Sequence, residues 1–190
     1  MAPGDRWFFD RVARWYDLAM PASAAEPLRE GLARADGPVE RVLDLGGGTG
    51  RASRALPELD TLVVDASPGM LERVPRAFNP ARADATALPV AAGSVDAVLV
   101  VDAFHHLPAH DAVLTEVARV LRPGGVLVVR EFDRGTVRGR LVEAVEHAIR
   151  MESRFLTADE LRAALEAAGL EAAVLHGGFS CTVVGRKPVG

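Results

Sequence analysis

Short runs of mostly β-branched residues punctuate the chain: RVLDL at 41–45, TLVVD at 61–65, VDAVLVV at 95–101 and GVLVVRE at 125–131. They show little polar alternation, the pattern of parallel strands buried on both faces. Elsewhere the apolar spacing is helical. Val113, Leu114, Val117, Val120 and Leu121 share one face over 109–121, and Pro123-Gly124-Gly125 is the expected stop. Thr157 to Glu160 matches a capping box ahead of Leu161, Ala164, Leu165 and Ala168, with Gly169 at the expected end. EAAVLH and FSCTVVG flank Gly177-Gly178 and read as a β-hairpin. Strands alternating with helices predict a doubly wound α/β fold of six or seven strands, mainly parallel with an antiparallel end.

The first 16 residues differ in character, holding Trp7, Phe8, Phe9, Trp15 and Tyr16 out of ten aromatics in the whole chain. Phe8, Val12, Trp15 and Tyr16 form a helical stripe, which suits either a core-packing helix or a lid over a ligand. The only candidate linker is ADGP at 35–38. The expected organisation is therefore one domain over 1–190, an N-terminal helical lid (1–36) on a Rossmann-like core (37–190).

Composition narrows the function classes. At 49% hydrophobic and 25% charged, the 190 residues have enough apolar surface to offset their ordering entropy. A net charge of −4 lacks the broad positive field that nucleic acid requires. Arg supplies every basic residue except Lys187, a bias that assigns no chemistry. The single cysteine, Cys181, excludes an internal disulfide and a multi-thiolate metal site, so a reducing cytoplasm is the expected compartment. No window approaches the roughly 20 apolar residues of a membrane span, and the N-terminus has no signal-peptide pattern.

After RVLDL comes Gly46-Gly47-Gly48-Thr49-Gly50, then a helix candidate from Arg51. Glycines let the backbone come within contact distance of a ligand, and the helix presents free N–H groups. A dinucleotide fingerprint needs glycine at its first, third and sixth positions. Counted from Gly46, the sixth residue is Arg51, and no GK[ST] follows. Asp44, two residues before the first glycine, would repel a pyrophosphate and suits a cationic ligand. An NAD-binding domain is thus the weaker reading. Asp65, ending the second strand, is placed either to accept both ribose hydroxyls of a nucleoside or to cap the next turn. Asp84, before Ala85, stands where an acid could accept from an adenine amino group.

In order, VLDLGGGTG, VVDAS, DATALPV, SVDAVLVVDAFHHL and RVLRPGGVLVVRE resemble the motif set of the class I S-adenosylmethionine-dependent methyltransferases. The resemblance implies a seven-stranded sheet with a reversed last strand and S-adenosyl-L-methionine as cofactor. It puts Asp44 and Gly46 near the methionine part and Gly48 and Gly50 at the close-approach turn. Asp65 falls on the ribose, Ala66 and Met70 beside the adenine, Asp84 and Ala85 at its edge, and Asp102 at the reactive end. Within that superfamily, FFDRVARWYD, with Tyr16-Asp17, and RVLRPGGVLVVRE, with Glu131, are similar to the ubiquinone/menaquinone biosynthesis C-methyltransferase-like group. The His and Trp that usually follow Tyr-Asp there are absent, and Asp133 replaces a serine.

Methyl transfer asks the protein mainly to align nucleophile, methyl and leaving sulfur, and a base is needed only when the nucleophile must lose a proton. His105 and His106 follow the fourth strand and are the candidates, His106 first because the Leu107-Pro108 turn after it could hold its ring; packing and turn roles are the alternative. No metal is expected, since no third ligand at useful spacing accompanies the pair. His110, His147 and His176 read as structural. No [DN]PP[YF] tetrapeptide for nitrogen acceptors is present. The expected partner is a small-molecule methyl acceptor with a carbon or oxygen nucleophile, quinone-like ones included, for a monomer or homodimer. A catalytically silent S-adenosylmethionine-binding regulatory or scaffold subunit is the alternative. Residues 133–156 are the expected substrate-selecting element.

Overall fold

The computed structural model describes residues 9–11, 13, 23–149 and 151–190. Seven strands form one sheet: β1 (Arg41–Leu45), β2 (Asp60–Asp65), β3 (Asn79–Arg82), β4 (Val95–Val101), β5 (Leu121–Phe132), β6 (Glu171–His176) and β7 (Ser180–Arg186). Their spatial order is β3-β2-β1-β4-β5-β7-β6. Pairings are parallel from β3 through β5, whereas β7 runs antiparallel to both β5 and β6. This is the doubly wound, mainly parallel sheet with an antiparallel C-terminal hairpin that the pattern predicts.

The continuous apolar run of β4 is sorted by the pleat. Val98 and Val100 join one core with Val113, Leu114 and Val117 of the helix His110–Val120, while Ala97, Leu99 and Val101 join another with Leu28 and Leu32 of the helix Ala25–Leu32. Both faces are thus covered, which is why the strands carry no polar alternation. In chain order the helices are α1 (Ala25–Leu32), α2 (Arg51–Ala55), α3 (Pro68–Leu71), α4 (His110–Val120), α5 (Val137–Ala148) and α6 (Ala158–Ala167). α1, within the segment expected as a lid, therefore packs on the sheet.

Thr157 and Glu160 make the capping box of α6 reciprocally, at 3.1 and 2.8 Å. Two expectations shift. β3 was hidden from the hydrophobic pattern because its sequence is NPAR, and Pro80 is tolerated there because the strand lies at the sheet edge. α4 ends at Val120 and β5 begins at once, so Pro123-Gly124-Gly125 lies inside the strand, beside a register shift at Val95/Ala97. Among the described residues, no helix is long and apolar enough to cross a membrane.

Of the N-terminal stripe, Phe8, Val12, Trp15 and Tyr16 lie outside the described residues. The helical residues next to them do make contacts. Phe9 and Ala13 cluster with Met70 and Met151, and Asp10 Oδ1 accepts from Ser67 Oγ (2.6 Å) and the Gly69 amide (3.0 Å).

Candidate functional site

The strand order reverses between β1 and β4, the position at which open α/β sheets leave a crevice beyond their carboxyl ends. The loop 46–50, joining β1 to α2, lines it. Gly46 and Gly47 amides donate to Val64 O at 2.8 and 3.2 Å, which ties the loop to the end of β2. Gly46 has φ +68°, and a Cβ there would stand 2.9 Å from that of Ala103. Gly48, at φ +56°, would put a Cβ where no atom lies within 4 Å. The absent side chain at Gly48 leaves open space in the crevice for a ligand to approach backbone.

Three adjoining hollows share the loop. The first, with about 360 Å³ of open space, is walled by Phe9, Gly46, Gly48, Asp65, Met70, Asp102 and His106. The second runs past Asp65, Ala66 and Ala85. The third lies against Ser23, Asp44, Gly47 and Arg51.

Asp44 is 1% exposed, and its Oδ2 accepts from Ser53 Oγ (2.6 Å) and the Ser53 amide (3.3 Å). Among the described residues, Oδ1 has no hydrogen-bond partner and neither has Ser23 Oγ, in the same hollow. Burial pushes the Asp44 carboxyl up to about 6 against the Ser53 bonds. A buried carboxylate oxygen and a hydroxyl left unmet beside a glycine loop are a deficit that a ligand ammonium would fill. This pair of acceptor oxygens therefore fits the ammonium of the amino-acid end of S-adenosylmethionine.

Asp65 takes the capping role open to it in the sequence. Its Oδ2 accepts from the Gly48 amide (3.0 Å) and its Oδ1 from the Ser67 amide (2.8 Å), so it caps two loops while facing two of the hollows. An ionised carboxylate has about four acceptor sites, which leaves room for hydroxyl donors. Burial raises its pKa, opposed by these amide bonds. Asp102 sits in the left-handed region at φ +50° and pairs with Arg51.

The histidines part company. His106 walls the first hollow, with the Phe9 ring edge-on at 5.0 Å. His105 lies beneath, 3% exposed and stacked on Phe155 at 4.2 Å. Its Nδ1 is 2.7 Å from Glu131 Oε2 and its Nε2 3.5 Å from Glu146 Oε1. Burial works against charge on this ring, but the charge and hydrogen bond of Glu131, with Glu146 behind, push its pKa up to about 10. The two flanking carboxylates therefore favour the imidazolium form of His105. Glu146 also supplies the third group whose absence had argued against a metal: His105, His106 and Glu146 offer ligand atoms within 4.8 Å of one another.

The crevice thus brings together Asp44, Gly46, Gly48, Asp65, Ala66, Met70, Ala85, Asp102 and His106. Gly50 stands behind as the N-cap of α2 at φ +81°. Asp84 is exposed, its Oδ1 accepting from the Thr86 amide (2.9 Å) and hydroxyl (2.8 Å). Tyr16 lies outside the described residues. His110 Nε2 meets Phe104 O at 3.0 Å, in keeping with a structural role. Ser23, Asp10, Arg51, Glu146 and Ser153 were not singled out as site residues. Arg51 carried a signal as the bulky residue that broke the dinucleotide spacing, and Glu146 and Ser153 lie within 133–156, the segment expected to select substrate.

The methyltransferase domain family matches residues 43–129, which hold the loop and the ends of β1, β2 and β4. A malonyl-[acyl-carrier protein] O-methyltransferase of Methylococcus capsulatus is 34% identical over 85% of this chain and 66% of its own length. A demethylmenaquinone methyltransferase of Beutenbergia cavernae is 41% identical over 65% of this chain and 56% of its own. The chain therefore spans just under two thirds or less of the length of these relatives. Among solved structures, a chain of the Haloferax volcanii complex between the Trm112 methyltransferase activator and a methyltransferase superposes with TM-score 0.79 at 25% identity, covering 95% of this chain and 98% of that one.

Proposed function

We propose, from the premise that the chain belongs to the class I S-adenosylmethionine-dependent methyltransferases, that it transfers the cofactor's methyl group to a carbon or oxygen nucleophile on a small molecule. The observation that carries the reading is the pair of unmet buried oxygens, Asp44 Oδ1 and Ser23 Oγ, beside the glycine loop. When bound, the cofactor supplies an electrophilic methyl group on a sulfonium. Asp44 and Ser23 receive the ammonium, and Gly46, Gly48 and Gly50 keep the loop backbone at contact distance. Asp65 accepts from the ribose hydroxyls. Ala66 and Met70 flank the adenine with Asp84 and Ala85 at its edge, and Tyr16 is a further cofactor-binding residue. Asp102, held by Arg51, faces the reactive end.

His106 is the base in this reading. It walls the hollow, which favours acceptors that give up a proton, such as a phenol or an activated carbon acid, over a carboxylate already ionised at neutral pH. His105 already holds both its protons and acts as a fixed cation between Glu131 and Glu146. The demethylmenaquinone and malonyl-[acyl-carrier protein] methyltransferases that the chain resembles mark two acceptor chemistries to assay, carbon and carboxylate oxygen. We place the protein in the cytoplasm as a monomer or homodimer with no nucleic-acid partner, on its net charge of −4 and lone cysteine.

Calorimetric titration tests the premise of the site: S-adenosylmethionine and its demethylated product bind, and NAD does not at comparable concentration. Tighter NAD binding overturns the reading. Formation of the demethylated product with a hydroquinone acceptor separates turnover from silent binding.

A further inference from the structure

Three side chains from separate elements meet behind the cavity wall. His106 Nδ1 lies 3.3 Å from Ser153 Oγ, and that hydroxyl lies 2.5 Å from Glu146 Oε2. Glu146 is on α5, His106 in the short 3-10 turn 104–106 after β4, and Ser153 in the segment leading to α6. Ser153 is pinned on both sides. The amide of Arg154 donates to His105 O at 2.8 Å, and His147 Nε2 meets Ser153 O at 3.0 Å. All three are withdrawn from water: Ser153 is 7% and His106 8% exposed, and the Glu146 side chain 16%.

The chemistry of the groups sets the direction of each bond. A serine hydroxyl has one proton to give and two lone pairs, while an ionised carboxylate only accepts. Glu146 is held ionised: burial opposes its charge, but the His105 hydrogen bond and imidazolium charge and the Ser153 hydroxyl outweigh it and lower its pKa. The Ser153 proton therefore points to Glu146, and what remains at Oγ is a lone pair. The bond to His106 must then run from Nδ1–H to Ser153 Oγ. In a neutral imidazole one nitrogen carries the proton and the other the lone pair.

We propose that Ser153 and Glu146 are positioning residues that lock His106 as its Nδ1–H tautomer, so that the ring walling the cofactor cavity carries its basic lone pair on Nε2. A base oriented by a second group that is itself oriented by a carboxylate is the logic of a catalytic triad. Here a hydroxyl bridges base and carboxylate, and His105, clamped between Glu131 and Glu146, holds the carboxylate in place. The inference rests on the reading of His106 as a base, but the arrangement exists without cofactor or acceptor and is tested without either.

The experiment is a long-range ¹⁵N–¹H correlation spectrum of the ¹⁵N-histidine-labelled full chain at neutral pH, with the His106 ring assigned by its loss in His106→Gln. The wild type shows the Nδ1–H pattern for His106. In Ser153→Ala the acceptor is gone and the ring moves to the Nε2–H tautomer, and Ser153→Thr, which keeps a hydroxyl, restores Nδ1–H. His176, whose Nε2 meets Glu30 Oε2 at 2.7 Å and touches no part of the turn 104–106, is the internal reference that the Ser153 variants leave unchanged if the fold is intact. An Nε2–H ring in the wild type, or a ring unmoved by Ser153→Ala while the backbone spectrum stays native, overturns the proposal. Either result leaves cofactor binding by the crevice standing, because titration with S-adenosylmethionine reports on that independently.

Discussion

The guanidinium of Arg51 donates to Asp102 Oδ2 at 2.9 Å, bridging the first turn after the glycine loop to the end of β4. Both side chains are largely buried, at 8% and 15% exposure. Burial and the nearby charge of Glu131 raise the Asp102 pKa, and Arg51 opposes them. Removing one member of such a pair leaves a desolvated charge, which costs about 3 kcal/mol or more, whereas removing both does not. Arg51→Met is accordingly expected to lower the midpoint of chemical denaturation substantially. The double variant with Asp102→Asn recovers part of it, and Asn suits the φ of +50° at that position. Equal midpoints for the single and double variants would show that the pair contributes nothing as a pair.

Asp65 is expected to report on stability and binding together. Asp65→Ala orphans the amides of Gly48 and Ser67, which its carboxylate now satisfies at 3.0 and 2.8 Å. An orphaned buried donor costs roughly 1–3 kcal/mol, so the ligand-free protein loses stability, contrary to a role confined to the ligand. Cofactor affinity falls as well, by roughly 10- to 150-fold if a charge-assisted bond of about 1.5–3 kcal/mol is lost. Thermal melts of the apo variant and calorimetry with the demethylated product separate the two effects. An apo melt identical to wild type would remove Asp65 from the loop-capping role.

How far the sequence reaches follows from the range of each interaction. Strands β1, β2, β4 and β5 and the capping box of α6 are written in neighbouring residues, because burial of a sheet and capping of a helix act over a few positions. That these residues line one crevice was legible for the same reason, since loop, flanking acids and strand ends lie in order along the chain. What escaped was set by tertiary contact. The segment 133–156 was marked only as a whole, and only the fold carries Glu146 to His105, 41 positions earlier, and Ser153 to His106, 47 positions earlier. Ser23 and Asp10 escaped likewise, lying in a segment whose aromatics dominate its pattern. β3 failed differently, as an edge strand with neither β-branching nor alternation.

The lone lysine has an assignable task. Lys187 Nζ donates to Ala118 O (2.6 Å) and Leu121 O (2.7 Å), carbonyls at the C-terminal end of α4 where the helix has no N–H to offer them. Lys187→Met keeps the aliphatic stem and removes the donors. At roughly 0.5–1.5 kcal/mol for each of the two hydrogen bonds, the melting temperature should drop by about 2–12 °C for a domain of this size, with cofactor affinity unchanged. A melt within experimental error of wild type would mean that water serves those carbonyls equally well.

Asp44 gives the crevice a pH dependence whose sign can be worked out. In the free protein burial pushes its pKa up to about 6, so the carboxyl is largely protonated below that pH and ionised above it. A bound ammonium beside Oδ1 favours the ionised form and lowers that pKa. By linkage, the complex binds fewer protons than the free protein between the two values, so affinity for S-adenosylmethionine weakens as pH falls through about 6. The limiting slope is tenfold per pH unit for one proton, and above about pH 7 the curve is flat until the ligand's own amine, near 7.7–8.0 in an unperturbed α-amino group, begins to titrate. Dissociation constants measured from pH 5 to 7 test this. Asp44→Asn should bind more weakly throughout and lose the slope, because its amide keeps an oxygen for the ligand but has no proton to exchange. A wild-type profile flat across that range would mean that the carboxylate does not meet the ammonium, and the assignment of the third hollow to the amino-acid end would fall with it.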